Sequence, residues 1–275
     1  MVSAADRAKH PARASVWLEG GRAARSAGRK AGRGAERTAE RGAERTADQP
    51  SGLDRDRITA AAVRLLDAEG LEKFSMRRLA AELDVTAMSV YWYVDTKDDL
   101  LELAIDAVFG ELDLPDATTG DPDWRIELRA LAVGYRALLV RHPWVAPLVG
   151  RFLNIGPNSL AFALCVQRVI GNTGLPTYAQ TGATQAVFQF VYGFGTVEGQ
   201  FMQRCASAGM SQDAYYREAL AAIHERPGFE EDFRRATELM EARGGDTVDE
   251  MRERDFDFAL KLLIAGIEAM TASSD

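Results

Sequence analysis

The side chains best suited to contacting a phosphate backbone lie between residues 75 and 99. Three consecutive aromatic residues, 91–93, are followed closely by Thr96 and Lys97. Thr96 has the spacing of a helix N-cap, because Asp99 follows three positions later. Lys97 then falls in the first helical turn, where a cation is poorly placed for the helix dipole but well placed to meet a phosphate. The alternative is that the aromatic residues pack against a neighbouring helix.

Three short helices are predicted to position these side chains. An apolar stripe indicates a first helix over 54–69, which ends at Gly70. Ser75 is a suitable N-cap for the second helix and Thr86 for the third. Asp84 lies in the turn between them and must tolerate a left-handed backbone conformation. The spacing is that of a helix-turn-helix.

The composition is that of a globular protein. The chain has 275 residues, of which 47% are hydrophobic, enough for one or two domains with a core. No apolar run reaches the roughly 18 residues of a membrane span, and the N-terminus lacks the apolar stretch of a signal peptide. We therefore predict a cytoplasmic protein with no membrane partner. Cys165 and Cys205 have no paired spacing, and the three histidines have no metal-ligand spacing, so we expect buried thiols, no metal and no cofactor.

The net charge hides an asymmetry along the chain. Residues 1–52 carry 11 Lys and Arg against 6 Asp and Glu, so the total of −8 leaves −13 for the remainder. Residues 53–100 carry 7 basic and 10 acidic side chains. Any contact with nucleic acid must therefore come from a few well-placed cations rather than from a broad basic face.

The sequence predicts an all-α fold, with an N-terminal three-helix helix-turn-helix domain and a C-terminal helical domain. Helical periodicity runs through almost the whole chain from Asp54 onward, without sustained two-residue alternation. Beyond the first helix we predict helices over 75–82, 86–92, 97–113, 124–141, 144–152, 158–172, 178–206, 212–225, 230–243 and 248–271. The predicted domains are residues 53–100, which contain the helix-turn-helix, and residues 101–275, the C-terminal helical domain.

Residues 1–52 are predicted to be a disordered basic tail. They are rich in Ala, Gly and Arg and cannot bury enough apolar surface to offset the entropy of ordering. Two roles stay open for this tail: a dispensable extension, or a basic arm that adds non-specific attraction to phosphates.

The helix-turn-helix segment resembles the DNA-binding domain of the TetR family. The resemblance rests on residues 71–80 and 85–94 together with Lys97, and it returns more weakly in 124–142 and 256–268. It implies a dimer bound to double-stranded operator DNA. By position it implies base contacts from Arg77 and from the front of the third helix, and phosphate contacts from the aromatic residues and Lys97. The complete predicted set is Met76, Arg77, Ala87, Met88, Ser89, Tyr91, Trp92, Tyr93 and Lys97.

The same resemblance implies that the C-terminal helical domain, residues 101–275, is a ligand-binding and dimerisation domain, with a pocket for a small effector among its helices. The candidate lining residues are Leu131, Tyr135, Trp144, Phe152, Phe188, Gln189, Tyr192 and Glu198. For each of them, core packing is the alternative role. Tetracycline repressors hold a magnesium chelate of the drug through histidines, and no histidine lies at the matching places here, so tetracycline is not predicted as the effector.

The resemblance also implies that the long helix 178–206 and the last helix pair with their two-fold mates. The predicted interface residues are Phe190, Phe194, Phe201, Leu260, Leu263, Ile267 and Met270. Gly193, Gly195 and Gly199 lower the propensity of the long helix, which calls for a packing or pocket explanation.

Taken together, the sequence predicts a DNA-binding transcriptional regulator, a repressor released from its operator by a small apolar or aromatic effector. The alternative is a regulator without a small ligand, gated by a protein partner or constitutive. An enzyme is not predicted, because the chain lacks the inward Glu-x-x-His pairs of helical metal-carboxylate enzymes.

Overall fold

All regular elements in the described part of the chain are α-helices, as predicted. The computed structural model describes residues 15–18, 52–116, 123–224, 238–239 and 242–272. The principal helices are α1 (Arg55–Glu69), α2 (Met76–Glu82), α3 (Ala87–Tyr91), α4 (Lys97–Phe109), α5 (Trp124–Arg141), α6 (Ala146–Val149), α7 (Pro157–Gly171), α8 (Thr177–Ser207), α9 (Gln212–His224) and α10 (Val248–Ala272).

These helices form two compact units. The N-terminal unit comprises residues up to Leu112 together with Trp144–Ala163, and the C-terminal unit comprises Asp113–Pro143 together with Leu164–Asp275. The functional division of the chain at residue 100 stays a prediction, since the compact units describe packing alone. No helix among the described residues is long and apolar enough to cross a membrane.

Local side-chain caps fix where the first helices of the N-terminal unit begin. Ser75, Thr86 and Thr96 each accept a hydrogen bond from the backbone N–H three residues later, as predicted. Thr96 and Asp99 form a reciprocal capping box. Asp84 adopts the left-handed conformation expected of the turn, with φ 54°. The helix-turn-helix geometry is thus determined by short-range hydrogen bonds.

Two helices are shorter than predicted. α4 ends at Phe109 instead of 113. The backbone N–H of Gly110 donates to carbonyl oxygens of the last turn of the helix. α6 spans only Ala146–Val149 instead of 144–152. It ends because the Asn154 side chain, on a residue with φ 49°, donates to the Val149 carbonyl oxygen at 2.6 Å. The predicted helix 230–243 lies largely outside the described residues; 238–239 and 242–243 are helical.

α4 is the central helix of the N-terminal unit, and ten of its thirteen residues are buried. One of them, Asp106, caps the start of α7 by accepting from the Ser159 N–H at 2.9 Å. Gly156 is required beside this carboxylate, because a Cβ there would lie 2.2 Å from Asp106 Oδ1. Polar contacts therefore join α4 to the 144–163 segment within this unit.

Glycines permit the close packing of α5 and α8 in the C-terminal unit. A Cβ added at Gly195 would lie 2.9 Å from the Leu139 Cβ, and one at Gly199 would lie 3.1 Å from the Leu139 carbonyl oxygen. Gly193, by contrast, has open space around it. Two of the three glycines therefore have a packing explanation. Cys165 and Cys205 are buried free thiols, as predicted.

α10 presents one apolar face to its own unit and another to solvent. The buried side chains recur at helical spacing and are Phe256, Leu260, Ile264 and Ile267. On the outer face Phe258, Leu262 and Met270 are 65%, 59% and 61% exposed. We call these three residues the outer face of α10.

Residues 15–18 depart from the disorder predicted for the N-terminal segment. They form a short helical turn in the N-terminal unit, and Ser15 is only 1% exposed. Apart from these residues and Gly52, the predicted tail lies outside the described part of the chain.

Candidate nucleic-acid interface and ligand cavity

The third helix carries large apolar side chains on the surface. Met88 is 69% exposed, Trp92 55% and Tyr91 41%. Packing against a neighbouring helix, the alternative considered for the aromatic residues, is therefore not what holds these two rings. The helix is instead held through Val90, which is fully buried. An exposed Met and two exposed aromatic rings on a helix of this kind form a surface suited to a partner.

Two adjacent arginines on α2 differ in what they contact. Arg78 is bound on both sides, by Glu69 at 2.7 Å and by Glu82 at 3.2 Å. These carboxylates raise the pKa of Arg78, chiefly through the hydrogen bond to Glu69. The Arg77 side chain is exposed, and its guanidinium makes no hydrogen bond or ion pair with any described residue. Its guanidinium is therefore available to an external acceptor.

The remaining predicted DNA contacts differ in accessibility. Met76 is 7% exposed and belongs to the core of this unit. Ala87, Ser89 and Tyr93 are half-buried, and the Ser89 hydroxyl lies 2.9 Å from the hydroxyl of Thr86. Most of the predicted set is thus at least partly exposed, whereas Met76 is buried.

Lys97 lies in the first turn of α4, as predicted, and is tied to the protein. Its amino group donates to the Phe74 carbonyl oxygen at 2.7 Å and lies 5.3 Å from the centre of the Phe74 ring. An ammonium group has three donors, so two stay available for a phosphate. Lys73, which the sequence analysis did not select, is an exposed cation in the turn at 71–73. Its position two residues before the Ser75 cap could have suggested it as a further phosphate contact.

Two of the predicted effector residues pack tightly against each other in the C-terminal unit. The rings of Tyr135 and Phe188 lie 5.4 Å apart, and Tyr135 is 4% exposed. Burial, with a smaller contribution from Tyr192, raises the pKa of the Tyr135 hydroxyl well above its usual range. Leu131 is buried as well. This group therefore has the packing of a core.

A cavity of about 560 Å³ opens along α8 in the same unit. Two predicted effector residues, Gln189 and Glu198, contribute to it. Its lining combines aromatic, apolar and charged side chains: Gln189, Phe190, Gly193, Phe194, Val197, Glu198, Arg243 and Arg252. Volumes of this size are typical of small-molecule sites.

A buried arginine connects the cavity wall to two other helices. Arg136 of α5 binds Glu198 at 2.8 Å and Glu253 of α10 at 2.7 Å, and it lies 4.5 Å from the centre of the Phe256 ring. Burial lowers the pKa of Arg136, but its hydrogen bonds and charge interactions with the two carboxylates outweigh this effect. The pKa of Arg136 is therefore raised. Glu198 is consequently held in place by a fixed cation.

The other two predicted effector residues, Trp144 and Phe152, belong to the N-terminal unit. Trp144 is 2% exposed, and its indole N–H donates to Asp67 Oδ1 of α1 at 2.6 Å. The Phe152 ring lies 5.4 Å from the Arg151 guanidinium, which in turn binds Asp98 of α4. These contacts give Trp144 a role in joining segments, which its position in the sequence did not indicate.

Most residues predicted at the dimer interface have contacts inside the single chain. Phe190 and Phe194 pack on the Phe256 ring, with centres 5.3 and 5.5 Å away. Phe201 packs on Tyr215 and Arg252. Leu260 and Ile267 are buried and Leu263 is half-buried, whereas Met270 lies on the outer face of α10. Leu263 and Met270 are thus the predicted α10 residues that stay at least partly exposed in the single chain, and the interface itself stays a prediction.

Comparison with known proteins agrees with both parts of this description. Residues 58–104 match the family model for bacterial regulatory proteins of the tetR family, and residues 114–271 match the model for the tetracyclin repressor-like C-terminal domain. The second match alone covers more than half of the chain.

Similar proteins are transcriptional regulators. An HTH-type transcriptional regulator of Saccharopolyspora erythraea is 36% identical over 217 residues, covering 79% of this chain and 85% of that protein. The HTH-type transcriptional repressor DrrR1 of Streptomyces coeruleorubidus is 32% identical over 222 residues, covering 80% and 79%. The TetR family protein ActR of Streptomyces coelicolor, solved in complex with actinorhodin, is 26% identical with a TM-score of 0.62, covering 80% of this chain and 97% of that one. The chain is a transcriptional regulator of the TetR family, with a helix-turn-helix domain and a C-terminal helical domain.

Proposed function

We propose that the surface formed by α2 and α3 reads operator DNA. The observation that carries this proposal is that the side chains of Arg77 on α2 and of Met88 and Trp92 at α3 are all exposed. A guanidinium can donate to two acceptors of one guanine, and a Met side chain can contact a thymine methyl group. Lys97 and the exposed hydroxyl of Tyr91 would position the helix on the phosphate backbone.

This proposal is tested by selecting bound fragments from genomic DNA with the purified protein and mapping them by footprinting. A two-fold symmetric dimer protects a palindromic site whose half-sites lie about one helical turn, or a multiple of it, apart. Protection without symmetry, or binding to all fragments alike, would contradict it.

We further propose that a small apolar or aromatic effector binds in the C-terminal unit and releases the operator. The cavity along α8 supports this, because aromatic walls are joined there by a few polar groups such as Gln189 and Glu198. ActR, one of the similar proteins, is solved with actinorhodin. A set of aromatic natural products screened by melting temperature should reveal the effector, since a ligand selective for the folded state raises the midpoint.

The contacts inside the N-terminal unit support a route by which a shift of one segment would reach α4. The 144–163 segment is tied to α4 through Arg151 and Asp98 and through the cap formed by Asp106. We propose that an effector shifts this segment and, with it, α4. Since coupling between sites is reciprocal, saturating operator DNA must weaken effector binding by the same factor by which the effector weakens DNA binding. Gln189→Ala, in the wall of the cavity along α8, should weaken induction and keep DNA affinity.

We also propose that the protein acts as a homodimer through the outer face of α10. Three large apolar side chains there are more than half exposed: Phe258, Leu262 and Met270. Two-fold symmetry would bring the same residues of two copies together. Sedimentation of the intact chain measures the assembly directly.

Gating by a protein partner is the alternative mechanism for the same DNA-binding surface. It requires that no small molecule changes the melting temperature or the DNA affinity. Equal effector affinity in the presence and absence of operator would likewise favour this alternative.

A further inference from the structure

A short piece of the N-terminal segment is docked on α4. Of residues 1–51, the structure describes only 15–18. The Ser15 hydroxyl donates to Glu102 Oε2 at 2.5 Å, and both residues are buried, at 1% and 8% exposure. The contact spans 87 residues of sequence. It is a tertiary contact, because residues so far apart in the sequence can meet only when the chain folds.

The docked residues form a turn that presents the Ser15 hydroxyl to the Glu102 carboxylate. The Ser15 hydroxyl oxygen accepts from the Trp17 N–H at 3.2 Å, and the Ser15 carbonyl oxygen accepts from the Leu18 N–H at 3.3 Å. The backbone amide of Val16 follows directly and, together with the Ser15 hydroxyl, lowers the pKa of the Glu102 carboxyl. Hydrogen bonds to an ionised acceptor are stronger than neutral ones.

The burial of the Glu102 carboxylate would be costly without these hydrogen-bond donors. Glu102 lies on α4, which is buried on nearly all sides. Burial raises the pKa of Glu102, the bonds from Ser15 and Val16 lower it, and the neighbouring charges of Asp98 and Asp99 raise it again. Among the described residues, the hydrogen bonds to this carboxylate come from the docked turn.

The sequence of the N-terminal segment independently marks the same place. Val16, Trp17 and Leu18 are the large apolar residues of the first 52 positions, apart from Met1 and Val2 at the start. The remainder is dominated by Ala, Gly, Arg and acidic residues. One isolated apolar cluster beside a serine has the composition of a short docking motif rather than of a uniform tail.

We propose that residues 15–18 are a latch: an intramolecular peptide ligand whose binding site is the face of α4 around Glu102. Covalent attachment raises the local concentration of such a peptide to roughly millimolar, which suffices for a small interface. By completing the burial of Glu102 the latch stabilises α4.

Hydrogen exchange on the full-length chain tests the latch without knowledge of operator or effector. The amides of residues 16–18 should be protected in the wild type. Ser15→Ala removes the donor to Glu102 and should lower that protection roughly 10- to 100-fold, the weight of one hydrogen bond to a charged group. Amides of α4 next to Glu102 should exchange faster as well. Ser26→Ala is the matched control, because it is the same substitution in the N-terminal segment outside the docked residues, and it should exchange like the wild type.

A double-mutant cycle with Glu102→Gln supplies the second measurement. Ser15→Ala should lower protection of the segment much less in the Glu102→Gln background than in the wild type. Wild-type amides of 16–18 exchanging at the unprotected rate would overturn the proposal. Unchanged amide exchange of residues 16–18 in Ser15→Ala, or independent effects of the two substitutions, would also overturn it. The same holds if Ser15→Ala releases the segment but leaves amide exchange in α4 unaltered.

Discussion

The hydrogen bond between Trp144 and Asp67 is predicted to be a strong link between the 144–163 segment and α1. The indole N–H lies 2.6 Å from the carboxylate oxygen, and Trp144 is 2% exposed. Trp144→Phe keeps an aromatic ring but removes the donor. A hydrogen bond to a charged group contributes about 1.5–3 kcal/mol, and the smaller ring adds a packing loss of about 1 kcal/mol. We therefore expect a loss of about 2–4 kcal/mol in the free energy of unfolding.

A double-mutant cycle separates the hydrogen bond from the packing loss. Trp144→Phe, Asp67→Ala and the double variant are unfolded in urea at one protein concentration, with circular dichroism as the probe. We expect a coupling of about 1–2 kcal/mol at unchanged m-value. If the single effects simply add to within about 0.5 kcal/mol, the contact stabilises nothing and the reasoning is refuted. Trp144→Phe should also weaken effector response more than DNA affinity.

Three further predictions concern packing, phosphate contact and assembly. Gly193→Ala should raise the free energy of unfolding by about 0.5–1 kcal/mol, since a Cβ there meets open space. Gly195→Ala should lower the free energy of unfolding by about 1–3 kcal/mol, because the new Cβ meets Leu139. Chemical denaturation measures both variants, and equal effects would contradict the packing explanation. Lys97→Ala should weaken binding to all DNA sequences and reduce the salt slope by about one, so an unchanged slope argues against a phosphate contact. Phe258→Glu combined with Leu262→Glu should split the dimer while preserving helicity, because both side chains are exposed in the single chain; a double variant that still sediments as a dimer places the interface elsewhere.

Features set by neighbouring residues were predictable from the sequence. The N-caps at Ser75, Thr86 and Thr96 and the left-handed turn at Asp84 are all as expected. Each depends on a hydrogen bond or a backbone preference within three or four positions of the chain. The helix-turn-helix could therefore be located from sequence alone.

Features set by tertiary packing were not predictable. α10 has two apolar faces, and periodicity could not show that Leu260 and Ile267 turn inward while Phe258 turns outward. Trp144 was assigned to a pocket by position, although its partner Asp67 lies 77 residues away. The contact of Ser15 with α4 is more distant still and has no periodic signal.

The base preference of Arg77 tests the central claim most directly. Wild-type protein, Arg77→Ala and Arg78→Ala are each used to select binding sites from random DNA. Arg78 is the matched control because Glu69 and Glu82 already bind its guanidinium. We expect the wild type to enrich a palindrome, Arg77→Ala to lose preference at one position in each half-site by about 1–3 kcal/mol, and Arg78→Ala to keep the wild-type profile. A wild-type protein that enriches no sequence, or an Arg77→Ala profile identical to wild type, would contradict DNA reading by this surface.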